Sequence, residues 1–144
     1  MISSGLPAED IAAQVSRALA EDIGTGDVTA SLIDAARQAR ASLLTRESMV
    51  LCGREWFDEV FHQLDARVKV RWLAEEGASV AADTIICEIT GPARAILTGE
   101  RNAMNFLQTL SGTATTTRAF VEAVAGTACR ILDTRKTLPG LRLA

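Results

Sequence analysis

The chain has 144 residues, a formal net charge of −3 and 48% hydrophobic residues, enough apolar material for one domain or for one domain and a piece of a second. It shows no apolar run long enough to span a membrane and no signal-peptide pattern, so the expectation is a soluble, cytoplasmic protein without a membrane partner. Its 3 cysteines are widely spaced and lack any CxxC or Cys/His ligand pattern, which fits reduced thiols and no metal site, and the absence of tyrosine speaks against a base-stacking nucleic-acid module.

Pro7-Ala8-Glu9-Asp10 predicts a helix start, with proline near the first turn and acids at the positive end of the dipole. Ile11, Val15, Ala18 and Leu19 then recur at helical spacing, and Gly24 and Gly26 stop the helix. Asp27 or Thr29 can cap the next segment. Gly24-Thr25-Gly26 has no preceding strand and reads as a structural turn rather than a phosphate loop. Residues 39–51 carry strand-like segments, with Leu43, Leu44, Val50 and Leu51 as core candidates. Residues 54–64 predict a helix in which Trp56, Phe57, Val60, Phe61 and Leu64 form one apolar stripe. His62, the single histidine, falls one step off that stripe and is expected at a surface or rim. Val68, Val70 and Trp72 alternate with Lys69, Arg71 and Leu73, the period of a half-buried strand. Glu75-Glu76-Gly77 is a turn, and Val80, the 85–89 run and residues 93–97 suggest further short strands.

Thr98 or Gly99 can cap a helix that begins at Glu100. Ala103, Phe106, Leu107, Leu110 and Ala114 share one face of it, and Arg101, Asn105 and Gln108 share a neighbouring one. Gly112 is expected to mark a bend or a close packing contact. Helix resumes over 113–125 and ends at Gly126, and residues 129–133 predict a buried strand. Beyond that strand lies Asp133-Thr134-Arg135-Lys136-Thr137, closed by a turn at Pro139-Gly140. From Arg118 onward there are five basic residues and two acids, a segment near +3 in an acidic chain. Arg135 supplies a planar donor fork, Lys136 a point charge, and Thr134 and Thr137 hydroxyls. Ligand sites of α/β folds gather at the carboxyl ends of parallel strands, so this cluster predicts a cradle for a small anionic ligand.

Three stretches carry a family resemblance. Residues 133–142, Asp-Thr-Arg-Lys-Thr-Leu-Pro-Gly-Leu-Arg, resemble the DTRKT-x-PG-x-R signature of the quinolinate phosphoribosyltransferases. Residues 100–115 resemble the family's ER-x-x-LN-(F/L)-LQ-x-LSG-(I/T)-AT segment, with Met104 where leucine is usual. Residues 21–29 are similar to its ED-x-G-x-GD-(I/V)-T. The resemblance runs from about Ala8 to Ala144, whereas family members are roughly twice as long.

The resemblance implies an α+β chain: an N-terminal α/β sandwich and dimer-contact domain over 1–112, then over 113–144 the first strand of an incomplete TIM-like α/β barrel. The 76–91 region also resembles lipoyl and biotinyl carrier domains, but without a lysine at a hairpin tip, so only the sandwich architecture is taken from it. The implied activity is decarboxylating quinolinate phosphoribosyl transfer, giving nicotinate mononucleotide, CO2 and pyrophosphate in NAD synthesis, with this piece inactive by itself. The implied substrate-binding residues are Arg101, Thr134, Arg135, Lys136 and Thr137, with Arg101 reaching a neighbour's site in a homodimer or higher even oligomer. Mg²⁺ is expected with phosphoribosyl pyrophosphate, its protein-side acids having no counterpart in this sequence; no catalytic residue is assigned. Two alternatives stay open: a related phosphoribosyltransferase-like protein acting on another substrate, and a non-catalytic domain that dimerises or binds a partner.

Overall fold

A computed structural model describes residues 8–142 and 144. The helix start expected at Pro7 lies in part outside the described residues, but α1 runs over Ala8–Ile23. The short α2 spans Val28–Ser31 and is capped by Asp27, whose carboxylate accepts from the Ala30 N–H at 2.9 Å. Next in the chain are β1 (Gln38–Thr45), β2 (Met49–Val50), α3 (Arg54–Leu64), β3 (Lys69–Trp72), β4 (Ser79–Val80), β5 (Thr84–Pro92) and the long α4 (Ala93–Ala123).

β5 is the centre of a three-stranded antiparallel sheet in the order β1-β5-β3, and β2 pairs antiparallel with β4 beside it. The helices cover one face of the larger sheet, giving the two-layer α/β arrangement expected for the N-terminal part; the sheet is open and closes no barrel. Alternate β1 residues, Ala39, Ala41 and Leu43, turn toward the helices and leave Arg40 and Ser42 outward. On the outward face Glu88 accepts from Arg40 at 2.8 Å and from Arg71 at 2.7 Å, one cross-strand partner on each side of the central strand. The β1–β5 register slips between Leu43 and Leu44, leaving Ile86 as an extra residue on β5. That bulge lets the consecutive Ile86 and Cys87 both be buried. Leu44 follows the strand period instead and is 45% exposed, against the expectation that it joins the core.

The apolar stripe of α3 fills the core as its spacing requires. Phe57 meets Phe61 and Trp72 edge-on, with ring centroids 5.3 and 5.2 Å apart, and Arg54 lies 4.9 Å over the Trp72 ring. The Arg54 end of α3 starts at Gly53, which has no side chain to cap with. Glu76, from the turn after β3, takes that role by accepting from the Gly53 and Arg54 N–H groups at 2.8 and 3.2 Å.

Residues 93–97 form the first turns of α4 rather than a strand. Pro92 ends β5 at the helix N-cap, and Ala93, Ile96, Gly99 and Ala103 recur at three-and-four spacing as a buried stripe; the short apolar run concealed that period. Gly99 is not a cap. A Cβ there would lie 2.8 Å from the Phe61 ring and 2.9 Å from Leu64, so the missing side chain is what allows α3 and α4 to touch. Gly112, expected to mark a bend or a close packing contact, makes no close contact: α4 continues through it as helix and a Cβ there would meet nothing within 4 Å.

The buried strand expected over 129–133 does not form. These residues join no ladder, and Ile131 and Leu132 are 41% and 76% exposed. A parallel strand takes its backbone partners from neighbouring strands, and the described residues offer none to this segment.

Candidate functional site

The first half of α4 is gripped by the α1–α2 corner. Asp22, in the last turn of α1, accepts from Arg101 Nη1 at 2.7 Å through Oδ1 and from Asn102 Nδ2 at 3.1 Å through Oδ2. One turn earlier on α4, the Thr98 hydroxyl donates to Asp27 Oδ2 at 2.8 Å. The bonds from Ala30 and Thr98 hold the Asp27 carboxyl below its usual range. Arg94 adds a 2.6 Å bond from Nε to the Ile33 carbonyl. The Arg101 side chain is nonetheless 72% exposed, at the mouth of a cavity of about 230 Å³ that Asp22, Asp27, Thr98 and Glu100 also line.

The middle of α4 pairs with the free edge of β2. In a strand, successive residues aim their backbone groups at opposite edges. Leu51 gives its N–H and C=O to Ala78 and Gly77, whereas Val50 and Cys52 face α4. There the Ser111 hydroxyl, in a residue only 3% exposed, accepts from the Cys52 N–H and donates to the Cys52 carbonyl, both at 3.0 Å. Thr115, four residues on, accepts from the Val50 N–H at 2.9 Å and donates to the Ser111 carbonyl at 2.6 Å. Two hydroxyls one helical turn apart thus stand in for a neighbouring strand. Beside them, burial, reinforced by the Glu76 carboxylate, pushes the Cys52 thiol up to about 12.

The cationic segment lies apart from both, with Thr134, Arg135, Lys136 and Thr137 all exposed. Its order comes from Arg142, whose guanidinium donates to the Thr134 carbonyl at 2.6 Å and reaches Asp133 at 3.5 Å. Gly140, at φ +83, turns the backbone so that Arg142 can come back over the loop. The Lys136 N–H donates to the Thr134 hydroxyl at 3.3 Å. The structure therefore brings Thr134 and Lys136 together in one loop, while Arg101 is held on α4 against Asp22.

A larger cleft of about 880 Å³ separates β1 and the 46–48 turn from α4; Leu44, Met49, Met104 and Leu107 give it apolar walls, with Arg46 and Gln108 among its polar groups. His62 is exposed at the edge of a small cavity shared with Asp58 and Lys69, in keeping with a rim position. Among the described residues, no group of three His, Cys, Asp or Glu side chains is gathered to hold a metal ion, and no helix is long and apolar enough to cross a membrane.

Comparison with known families decides the lineage. Residues 27–111 match the model of the quinolinate phosphoribosyl transferase N-terminal domain, and residues 113–144 match that of its C-terminal domain. The chain belongs to the quinolinate phosphoribosyl transferase family. It is 40% identical over 139 residues to the chloroplastic nicotinate-nucleotide pyrophosphorylase (carboxylating) of Arabidopsis thaliana, covering 95% of this chain and 39% of that one. It is 39% identical over 140 residues to the Homo sapiens nicotinate-nucleotide pyrophosphorylase (carboxylating), covering 96% and 46%. The solved nicotinate-nucleotide pyrophosphorylase of Francisella tularensis superposes with a TM-score of 0.93 at 43% identity, over 97% of this chain and 50% of that one. The chain thus spans about half the length of the relatives it matches.

The three family stretches do different work in the fold. The 21–29 and 100–102 stretches meet each other: the acids of the first hold Thr98, Arg101 and Asn102 on α4. The 110–115 stretch is a docking edge for β2. Sequence reading overlooked Asp22, Asn102, Ser111 and Thr115. A signal existed for the last two, since Ser111 continues the buried 103, 107, 110 face and Thr115 lies four residues on, where a hydroxyl needs a partner. Asp22 offered only a weaker one: an acid at the negative end of a helix dipole asks for a cation.

Proposed function

We propose that this chain supplies the N-terminal domain and the first cationic loop of a decarboxylating quinolinate phosphoribosyltransferase. In that reaction the pyridine nitrogen of quinolinate bonds to C1 of phosphoribosyl pyrophosphate and pyrophosphate leaves with the electrons of the broken C–O bond; the 2-carboxylate is then lost as CO2, and the electron pair left at C2 takes up a proton from solvent, giving nicotinate mononucleotide. A site for it must gather a dicarboxylate and a phosphate ester, which calls for an excess of positive charge. The observation that carries the reading is the 133–142 loop, in which Arg142 braces the backbone and leaves Arg135 and Lys136 extended into solvent. In our reading Arg135 and Lys136 contact the anionic substrates, Thr134 and Thr137 flank them, and Arg101 reaches the site of a second copy, so a dimer or higher even oligomer holds paired sites. Mg²⁺ would enter on the pyrophosphate oxygens, which suit a hard cation. Among the described residues no set of carboxylates is gathered to hold it. The free thiols suit a reducing compartment such as the cytoplasm.

The test uses a form of the protein that also carries the barrel half of the relatives. Arg135→Ala and Lys136→Ala each weaken anionic substrate binding by roughly 1.5–3 kcal/mol, the worth of a charge-assisted contact, while the melting temperature holds. Arg101→Ala and Lys136→Ala are each nearly inactive, and co-expression restores part of the activity because a mixed dimer has one site with both residues intact. Loss of folding with unchanged affinity, or demonstrated heterodimers that stay inactive, overturns the assignment.

A further inference from the structure

The Asp22 carboxylate sits in an unfavourable place for its own helix. It occupies the last turn of α1, where the macrodipole is negative and no basic residue of that turn offsets it. Its compensation comes entirely from α4: Arg101 Nη1 at 2.7 Å on one oxygen and the buried Asn102 amide at 3.1 Å on the other. Asn102 is 6% exposed, so it fixes the carboxylate from the core side, and the carboxylate in turn fixes a guanidinium whose side chain is 72% exposed. Among the described residues Asp22 is the sole hydrogen-bond partner of Arg101, and it occupies one nitrogen of a group with five N–H donors. The Nε and Nη2 side of the fork is left for a second carboxylate. The Asp27–Thr98 bond one turn away holds the same stretch of α4 to the α1–α2 corner, so the helix cannot rotate under the arginine.

We propose that Asp22 is a positioning residue for Arg101, holding the guanidinium so that its open edge receives a carboxylate of an aromatic dicarboxylate substrate. This rests on the reading of Arg101 as a substrate contact. A long exposed arginine otherwise spreads over many rotamers, and freezing it in advance removes that entropy from binding. The rival physical reading is that Asp22 sequesters the charge, and the two differ in sign.

The experiment is steady-state kinetics of the barrel-carrying protein with quinolinate and phosphoribosyl pyrophosphate varied in turn. Asp22→Ala is expected to raise the KM for quinolinate about tenfold, with kcat and the KM for phosphoribosyl pyrophosphate within about twofold, because only pre-binding order is lost. Asp22→Asn keeps one acceptor in place of two and recovers only part of that loss; if Asp22→Ala fails to fold, Asp22→Asn alone is expected to raise the KM for quinolinate a few-fold with the other two parameters unchanged, and an unchanged KM in it overturns the proposal. In an Arg101→Ala background, read by equilibrium binding of quinolinate because that variant is nearly inactive, Asp22→Ala adds nothing further. A lower KM for quinolinate in Asp22→Ala shows sequestration and overturns the proposal. So does an unchanged KM where Arg101→Ala raises it, or a parallel loss in kcat, both KM values and melting temperature, which is the mark of a structural prop. If Arg101→Ala itself leaves the quinolinate KM unchanged, the substrate reading of Arg101 falls first and takes this proposal with it.

Discussion

Replacing Ser111 by alanine removes one oxygen and two hydrogen bonds. The hydroxyl pairs with both the N–H and the carbonyl of Cys52, at 3.0 Å each, from a position 3% exposed on α4. An alanine leaves both backbone groups facing a methyl, and β2 has no second strand on that edge. Stranding a donor costs about 1–3 kcal/mol, and Cys52 is half-buried, so the middle of that range applies. Alanine is the better helix former by roughly 0.5 kcal/mol, which offsets part of the loss. The net expectation is a destabilisation of about 1–2.5 kcal/mol, which at roughly 2–4 °C per kcal/mol for a domain of this size lowers Tm by several degrees. Urea unfolding followed by tryptophan fluorescence reads it directly, since Trp56 is 4% exposed in the fold. The midpoint should fall with an unchanged m-value. Thr115→Val should act in the same direction and less strongly, because it strands only the Val50 N–H. Thr113→Ala is the control: its hydroxyl bonds only to its own helix, at the Thr109 carbonyl, and no loss is expected. If Ser111→Ala is as stable as the parent, the hydroxyl pair does not hold β2 to α4, and the 110–115 stretch has another purpose.

Glu88 is held below the usual carboxylate range by the Arg71 guanidinium first and then by Arg40, against an opposing effect of burial. A depressed folded pKa means its contribution is present above the ordinary glutamate range and is lost as pH falls through the folded value. Thermal melts of parent and Glu88→Gln should therefore differ at pH 7 and converge in acid; a gap that persists in acid refutes the charge origin. The thiols give a further check. Burial pushes Cys87, like Cys52, up to about 12, while Cys129 is exposed. At pH 8 the native chain should show one rapidly reacting thiol against a disulfide reagent and all 3 only after unfolding; fast reaction at Cys52 counts against the packed β2–α4 junction.

Sequence by itself determined what local periodicity and composition control. The stripe of α3 and the alternation of β3 come from side-chain spacing, and both lie where that spacing puts them. The family likeness was equally legible, because it rests on residue identity at fixed separation. Tertiary structure alone decided the partners. Residues 93–97 are short and apolar, and only packing against α3 through Gly99 makes them helix. Residues 129–133 have the composition of a strand, yet a strand is a relation between segments, and none of the described segments pairs with them. Arg101 reads as one member of a polar helical face. That its guanidinium is braced by Asp22, 79 residues earlier, depends on how α1 lies across α4, which no local pattern encodes.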